Sequence, residues 1–188
     1  LPEMIVLCQF SDSYILAEGD GELFIIDQHA LHERIRYERL RQSMVDWSPQ
    51  ELIIPIPISL GVRELAAARS ESDRLSELGF EFSELDEVIL VTSVPAVLLG
   101  DSSLTEFIHD ILIDISSRPE SNGVDTVEKL RDKVAFMRSC RGSVKANQKL
   151  NLSEMRRLLL DMRTVPNPWA CVHGRPTILR LTQVHMDK

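Results

Sequence analysis

No apolar run in this sequence approaches the roughly 20 residues that a membrane-spanning helix needs, so no membrane partner is expected. The first residues, Leu1, Pro2 and Glu3, bring no basic segment, no signal-like apolar core and no initiator Met. A domain excised from a longer protein is expected. Cysteine is scarce, with 3 in 188 residues. An odd number cannot all pair within the chain, and disulfide-framework density is missing, so a reducing, cytoplasmic setting is expected. Positive charge is in deficit: 21 Lys and Arg face 29 Asp and Glu, for a net charge of -8. That excludes a uniformly basic nucleic-acid binder but leaves room for a local basic patch. Internal repeats and low-complexity segments are also missing.

What is present is a chain 44% hydrophobic, enough for one globular domain or two small lobes with a sizeable core. Residues 4–10, 13–18 and 22–26 are short apolar runs, the last two separated by Glu18-Gly19-Asp20-Gly21, a turn signal. They predict an antiparallel meander. Residues 31–44 predict a helix that ends before Pro49. Residues 50–57 are apolar and broken by Pro, which fits an edge strand. One amphipathic helix is expected over 62–78, stopped by Gly79. Strands follow at 80–82 and 88–92, then a helix over 103–116 capped by Ser102 or Ser103. Residues 117–125 read as a polar loop, 127–139 and onward as helix, 152–162 as a helix capped by Asn151 or Ser153, and 177–182 as a strand.

Charge divides the chain. From Glu71 to Glu128, 14 acidic residues face 2 basic ones; from Arg131 to Lys149, 6 basic face 1 acidic. The fold class expected is mixed α/β (α+β). A core subdomain is built from residues 1–48 and 125–188, with an external subdomain, 49–124, inserted into it.

The chemistry concentrates at two places. Asp27 ends the strand 22–26, and His29 and Glu33 follow at a spacing that shares one helix face if the helix already includes residue 29. A borderline nitrogen and a hard oxygen at one corner suit Zn²⁺ or Mn²⁺. Glu38 falls about 140° around the helix from Glu33 and is better placed to pair with Arg34. His32 is expected at the surface. Near the other end, Cys171 and His173 are two residues apart and, in an extended segment, point the same way. Arg175 offers a guanidinium to a phosphate oxygen, and Cys140 is a further donor within the basic stretch. Donors this many exceed one tetrahedral site, so two metals are allowed, the arrangement used for in-line phosphodiester cleavage. Against this stand the plain readings: an ordinary corner histidine, a buried apolar thiol at Cys171, a core thiol at Cys8, and a solvated face over 131–149. Spacing alone leaves both open.

Asp27-Gln28-His29-Ala30-x-x-Glu33-x-x-x-x-Glu38 resembles the endonuclease motif of the MutL mismatch-repair proteins, found in the C-terminal domain of members that nick DNA. Ser139-Cys140-Arg141 resembles the family's second motif. Ala170-Cys171-Val172-His173-Gly174-Arg175-Pro176 resembles its third, with Val172 where the family has Pro. Gln50, Glu51, Leu52, Ile53, Ile54 and Pro55 resemble its sliding-clamp-binding motif. The resemblance covers most of the chain. It implies a dimerisation subdomain with an inserted regulatory one, homodimerisation, and a latent Mn²⁺-dependent nicking of double-stranded DNA with Zn²⁺ as a structural or regulatory ion. Asp27, His29, Glu33, Cys140, Cys171 and His173 would ring the metals, with Asp27, His29 and Glu33 catalytic. Gln28 and Glu38 would support the site, and Arg141, Lys145 and Arg175 would meet the phosphate backbone. A sliding clamp and a MutS-type mismatch sensor would be partners, in a nucleoid-associated setting. The resemblance also implies that ATP binds only in a separate N-terminal region; no Walker-type loop or ATP-binding motif occurs in this sequence, so that region is expected to be absent from it. The second function open at this point is a non-catalytic dimerisation and clamp-docking module with a structural zinc.

Overall fold

A computed structural model describes residues 1–43, 47–85, 88–100, 103–117 and 126–182. The fold is mixed α/β, with two antiparallel sheets and six α-helices among the described residues. The chain divides into two compact units, one formed by Leu1–Arg39 with Phe136–Lys188 and the other by Leu40–Ala135. The inserted unit is wider than the segment 49–124 marked by proline and charge. The boundaries fall inside two continuous helices, where composition does not change.

In the first unit, β1 (Ile5–Phe10), β2 (Tyr14–Gly19) and β3 (Glu22–Asp27) form the expected meander, and β7 (Ile178–Leu181) adds beside β3, giving the order β1-β2-β3-β7. Asp20 and Gly21 both take positive φ, 53° and 74°, at the tight β2–β3 turn, as their types allow. Period-2 alternation sends Ile15, Ala17, Phe24, Ile26 and Ile178 to one face, where they are buried. Leu31 and Ile35 of α1 (Gln28–Gln42) and Met155, Leu158, Leu159 and Met162 of α6 (Leu152–Met162) complete that core. Asn151 caps α6 with a reciprocal capping box: its side chain accepts from the Glu154 N–H, and Glu154 accepts from the Asn151 N–H. The opposite sheet face carries exposed Ile5, Leu7, Phe10, Tyr14 and Leu179. Cys8 belongs to it as well. It is exposed, not a core thiol, because its register partner is Leu16, on the face away from Ile15 and Ala17.

In the second unit, β4 (Pro49–Ser59), β5 (Glu81–Leu85) and β6 (Val88–Pro95) pair in the order β4-β6-β5, which leaves β4 an edge strand that tolerates its prolines. The helix expected over 62–78 is two helices, α2 (Val62–Ser70) and α3 (Ser72–Glu77). The break is at Ser70-Glu71-Ser72, where Glu71 sits at φ -102°, ψ 5° and the Ser70 hydroxyl donates back to the Ala67 carbonyl at 2.9 Å, a local bond that helps to bend the chain. Gly79, at φ 92°, then turns the chain into β5. α4 (Leu104–Ser116) buries Phe107, Ile108, Ile111, Leu112 and Ile115 on one stripe. Ser103 stands at its N-cap position but makes no side-chain capping bond. The alternative cap Ser102 and most of the polar loop, residues 118–125, lie outside the described residues. α5 (Val127–Gly142) follows and carries the chain back into the first unit.

Candidate metal centre

The site is assembled within the first unit from three stretches far apart in sequence. The first is the β3–α1 corner, where the helix begins directly after the strand. Asp27 explains this. Its Oδ1 accepts the backbone N–H groups of both His29 and Ala30 at 3.0 Å, satisfying two of the donors that a helix start leaves open. α1 therefore starts three residues before the expected Leu31, and His29 and Glu33 stand one turn apart on it. The second stretch is the end of α5, which carries Cys140. The third is the turn after α6. Cys171 N–H donates to the Arg175 carbonyl at 2.8 Å and Gly174 N–H to the Cys171 carbonyl at 3.0 Å, with Gly174 at φ 79°. Residues 171–175 are thus a turn, not the extended segment the Cys-x-His spacing suggested. The cause is the glycine's positive φ together with the Ala170–Pro176 bridge that closes the loop. The Asp27 N–H donates to the Thr177 carbonyl at 2.9 Å, which fixes this turn beside the α1 corner.

Glu33, Cys140 and His173 meet here, their ligand atoms all within 4.8 Å of one another. His173 Nδ1 is 3.4 Å from Glu33 Oε2, and its Nε2 is 3.8 Å from Cys140 Sγ. The Phe136 ring packs edge-on against His173, centroids 4.9 Å apart. His29 joins through Glu33, with Nε2 3.4 Å from Oε1. Asp27 and Cys171 stand outside the tight group. Asp27 is engaged in capping, and the buried Cys171 sulfur accepts the His173 N–H at 3.3 Å, shaping the turn that presents the histidine.

The donors suit a divalent cation. Glu33 is only 4% exposed, and no lysine or arginine pairs with it among the described residues. A buried carboxylate left that way is costly. His29 Nδ1 faces the Val144 carbonyl at 2.7 Å and so must donate to it. In the neutral ring this leaves a bare Nε2 lone pair facing a carboxylate oxygen, a mismatch that a cation between them would relieve. The Cys140 thiol is pushed up to about 11, first by burial and then by the Glu33 charge. A bound cation would reverse that and favour thiolate. One oxygen, one sulfur and one or two imidazole nitrogens form a set that fits Zn²⁺.

Several flanking residues act as props. Gln28 is fully buried. Its Nε2 donates to the Asp12 and Gln148 carbonyls at 2.7 and 2.9 Å, and its Oε1 accepts from Gln9 Nε2 at 2.7 Å. It ties the segment after α5 to the β1–β2 turn. Glu38 faces away from the donors and pairs with Arg34 at 3.5 Å, while Arg34 Nε donates to the Asn167 carbonyl at 3.0 Å, ahead of the Cys171 turn. Lys145 and Arg175 are exposed, and Arg141 is half-buried at the end of α5. His32 departs from expectation. It is half-buried, its Nδ1 accepts the Val144 N–H at 2.8 Å, and burial, aided by Arg36 and Arg39, lowers its pKa to about 4. Its i+3 spacing from His29 was the available signal. Its partner, a backbone group more than a hundred residues away, left none.

Comparison with known sequences agrees with this architecture. Residues 7–150 match the model of the MutL C-terminal dimerisation domain. The chain belongs to that family. It is 37% identical over 185 residues to the DNA mismatch repair protein MutL of Xanthomonas campestris pv. campestris, covering 97% of this chain and 29% of that protein. It is 38% identical over 184 residues to the MutL of Methanocorpusculum labreanum, covering 95% of this chain and 30% of that one. For the MutL of Clostridium perfringens strain 13, the identity is 35% over 190 residues, covering all of this chain and 27% of the relative. The chain thus spans about three-tenths of the length of these MutL relatives. The dimerisation-domain match agrees with the mixed α/β architecture of two antiparallel sheets and helices.

Proposed function

We propose that this MutL C-terminal domain dimerises and carries a latent, divalent-metal-dependent centre that nicks double-stranded DNA. The observation that supports this best is the meeting of Glu33, Cys140 and His173 from three distant stretches, with His29 facing the same carboxylate. Glu33, Cys140, His173 and His29 would hold the ion, with Cys171 setting the turn and Asp27 setting the helix start. When bound, Zn²⁺ or Mn²⁺ supplies Lewis acidity for phosphodiester hydrolysis. The chain's own residues hold the donors in place. Arg175, Arg141 and Lys145, around the same site, would bind phosphate oxygens and orient the backbone.

Relaxation of supercoiled plasmid in Mn²⁺ tests the reading. The wild type should convert supercoiled to open-circular DNA, and Glu33→Lys should fall to background because an ammonium would occupy the cation's place. Equal nicking by both removes the site. A protein that binds zinc yet nicks under no divalent ion would favour the other function, a dimerisation and clamp-docking module with structural zinc. One observation favours docking in its own right. Residues 52–55 of β4 have no register partner, and Ile53 and Ile54 are 100% and 80% exposed.

A further inference from the structure

Val144 is gripped three ways. Its side chain packs against the core of the first unit, its carbonyl accepts from His29 Nδ1 at 2.7 Å, and its N–H donates to His32 Nδ1 at 2.8 Å. His29 and His32 are three apart on α1, so one helix face reaches both ends of the same residue. The two bonds have opposite sense. The one to His29 requires a proton on Nδ1, and the one to His32 requires a lone pair there. Resting on the metal reading above, we propose that His32 is a positioning residue: by holding Val144 it fixes His29 as the Nδ1–H tautomer and keeps the bare Nε2 aimed at Glu33, ready for a divalent cation.

Among the described residues, the bond from the Val144 N–H is the one hydrogen bond His32 makes. His32 is not in the donor cluster, and the segment it holds is already anchored farther along by Gln28 at Gln148. Gln28 Nε2 also reaches the Lys145 carbonyl at 3.4 Å, and the Lys145 N–H, in the same peptide plane as the Val144 carbonyl, donates to Gln148 Oε1 at 3.2 Å; His32 holds the plane before it through the Val144 N–H, and the two planes together set the carbonyl presented to His29. Without the His32 acceptor, the Val144 N–H would seek another partner and the carbonyl would turn with the backbone. His29 could then protonate on Nε2, the atom needed by the metal. Outer groups that fix a histidine tautomer typically change metal affinity 10- to 100-fold, roughly, when removed.

The test uses the full chain as His32→Ala and His32→Asn, since the Asn carbonyl oxygen reproduces the acceptor position of Nδ1. In the metal-free protein, two-bond ¹⁵N–¹H correlation spectra report the His29 tautomer directly. The wild type and His32→Asn should show the Nδ1–H form, and His32→Ala should show a population of Nε2–H. Zn²⁺ affinity, read by competition with a chromophoric chelator, should fall about tenfold or more in His32→Ala and recover in His32→Asn. An unchanged His29 tautomer in folded His32→Ala overturns the proposal, whatever the metal affinity does. If His32→Ala does not fold, failure of His32→Asn to keep the wild-type tautomer overturns it equally. Failure of the wild type to bind Zn²⁺ would remove the metal reading instead, and the tautomer result would still stand alone.

Discussion

Asp27 shows how one side chain can serve fold and chemistry together. Its Oδ1 caps α1 through two N–H groups, and the cap is what brings His29 and Glu33 onto the helix one turn apart. A loss of activity on mutating Asp27 is therefore ambiguous unless the replacement still caps. Asn caps helices about as well as Asp, whereas Ala costs about 1 kcal/mol. Thermal or urea unfolding should accordingly place Asp27→Asn near wild type and Asp27→Ala about 1 kcal/mol lower. If nicking is lost in Asp27→Asn with stability kept, the carboxylate has a chemical role beyond the cap. Equal stability of Asn and Ala variants would deny the capping role. At this scale the sequence spoke clearly where spacing on a helix carried the meaning, as for His29, Glu33, Arg34 and Glu38. It was silent where a backbone group did the work, as at Val144, and it misled at Cys171, where a glycine φ replaced alternation by a turn.

Among the elements, β4 carries apolar residues that the core of its unit does not use. Proline at 55 and 57 predicts an edge, and the strand does pair on one side only. Its register then jumps from Glu51 opposite Ser93 to Ile56 opposite Val91, leaving residues 52–55 bulged. Ile53 is fully exposed and Ile54 80% exposed, so replacing both with Ala should shift stability by no more than about 0.5 kcal/mol. The same change should abolish binding to a sliding clamp in surface plasmon resonance if this bulge is the docking element. Full clamp affinity in the double variant would remove it. Helix and strand identities were legible from periodicity, including the capped start of α6 at Asn151. The division into α2 and α3 was not, because the apolar period continues through Ser70-Glu71-Ser72. The backbone departure at Glu71, beside the Ser70 hydroxyl bonded back to the Ala67 carbonyl, marks the break.

For the whole molecule, the question is what covers the outer face of the four-stranded sheet. The register lines up Cys8, Leu16, Ile25 and Leu179 across all four strands, and Phe10 opposite Tyr14 beside them. A sheet normally offers water a polar face when its other face is the core, and this one offers a row of apolar side chains. The family is one of dimerisation domains. A two-fold axis through such a face would let each row meet its own copy. Leu16 lies at the centre of the row with Cys8 and Ile25 on either side, so a charge there would be desolvated at both surfaces of a dimer. Leu16→Glu should therefore shift the chain from dimer to monomer in light scattering coupled to size exclusion. The fold itself should survive, because Leu16 points away from the core that holds Ile15 and Ala17. Far-ultraviolet circular dichroism checks this in the same samples. A folded Leu16→Glu protein that stays fully dimeric at micromolar concentration would move the interface off this face.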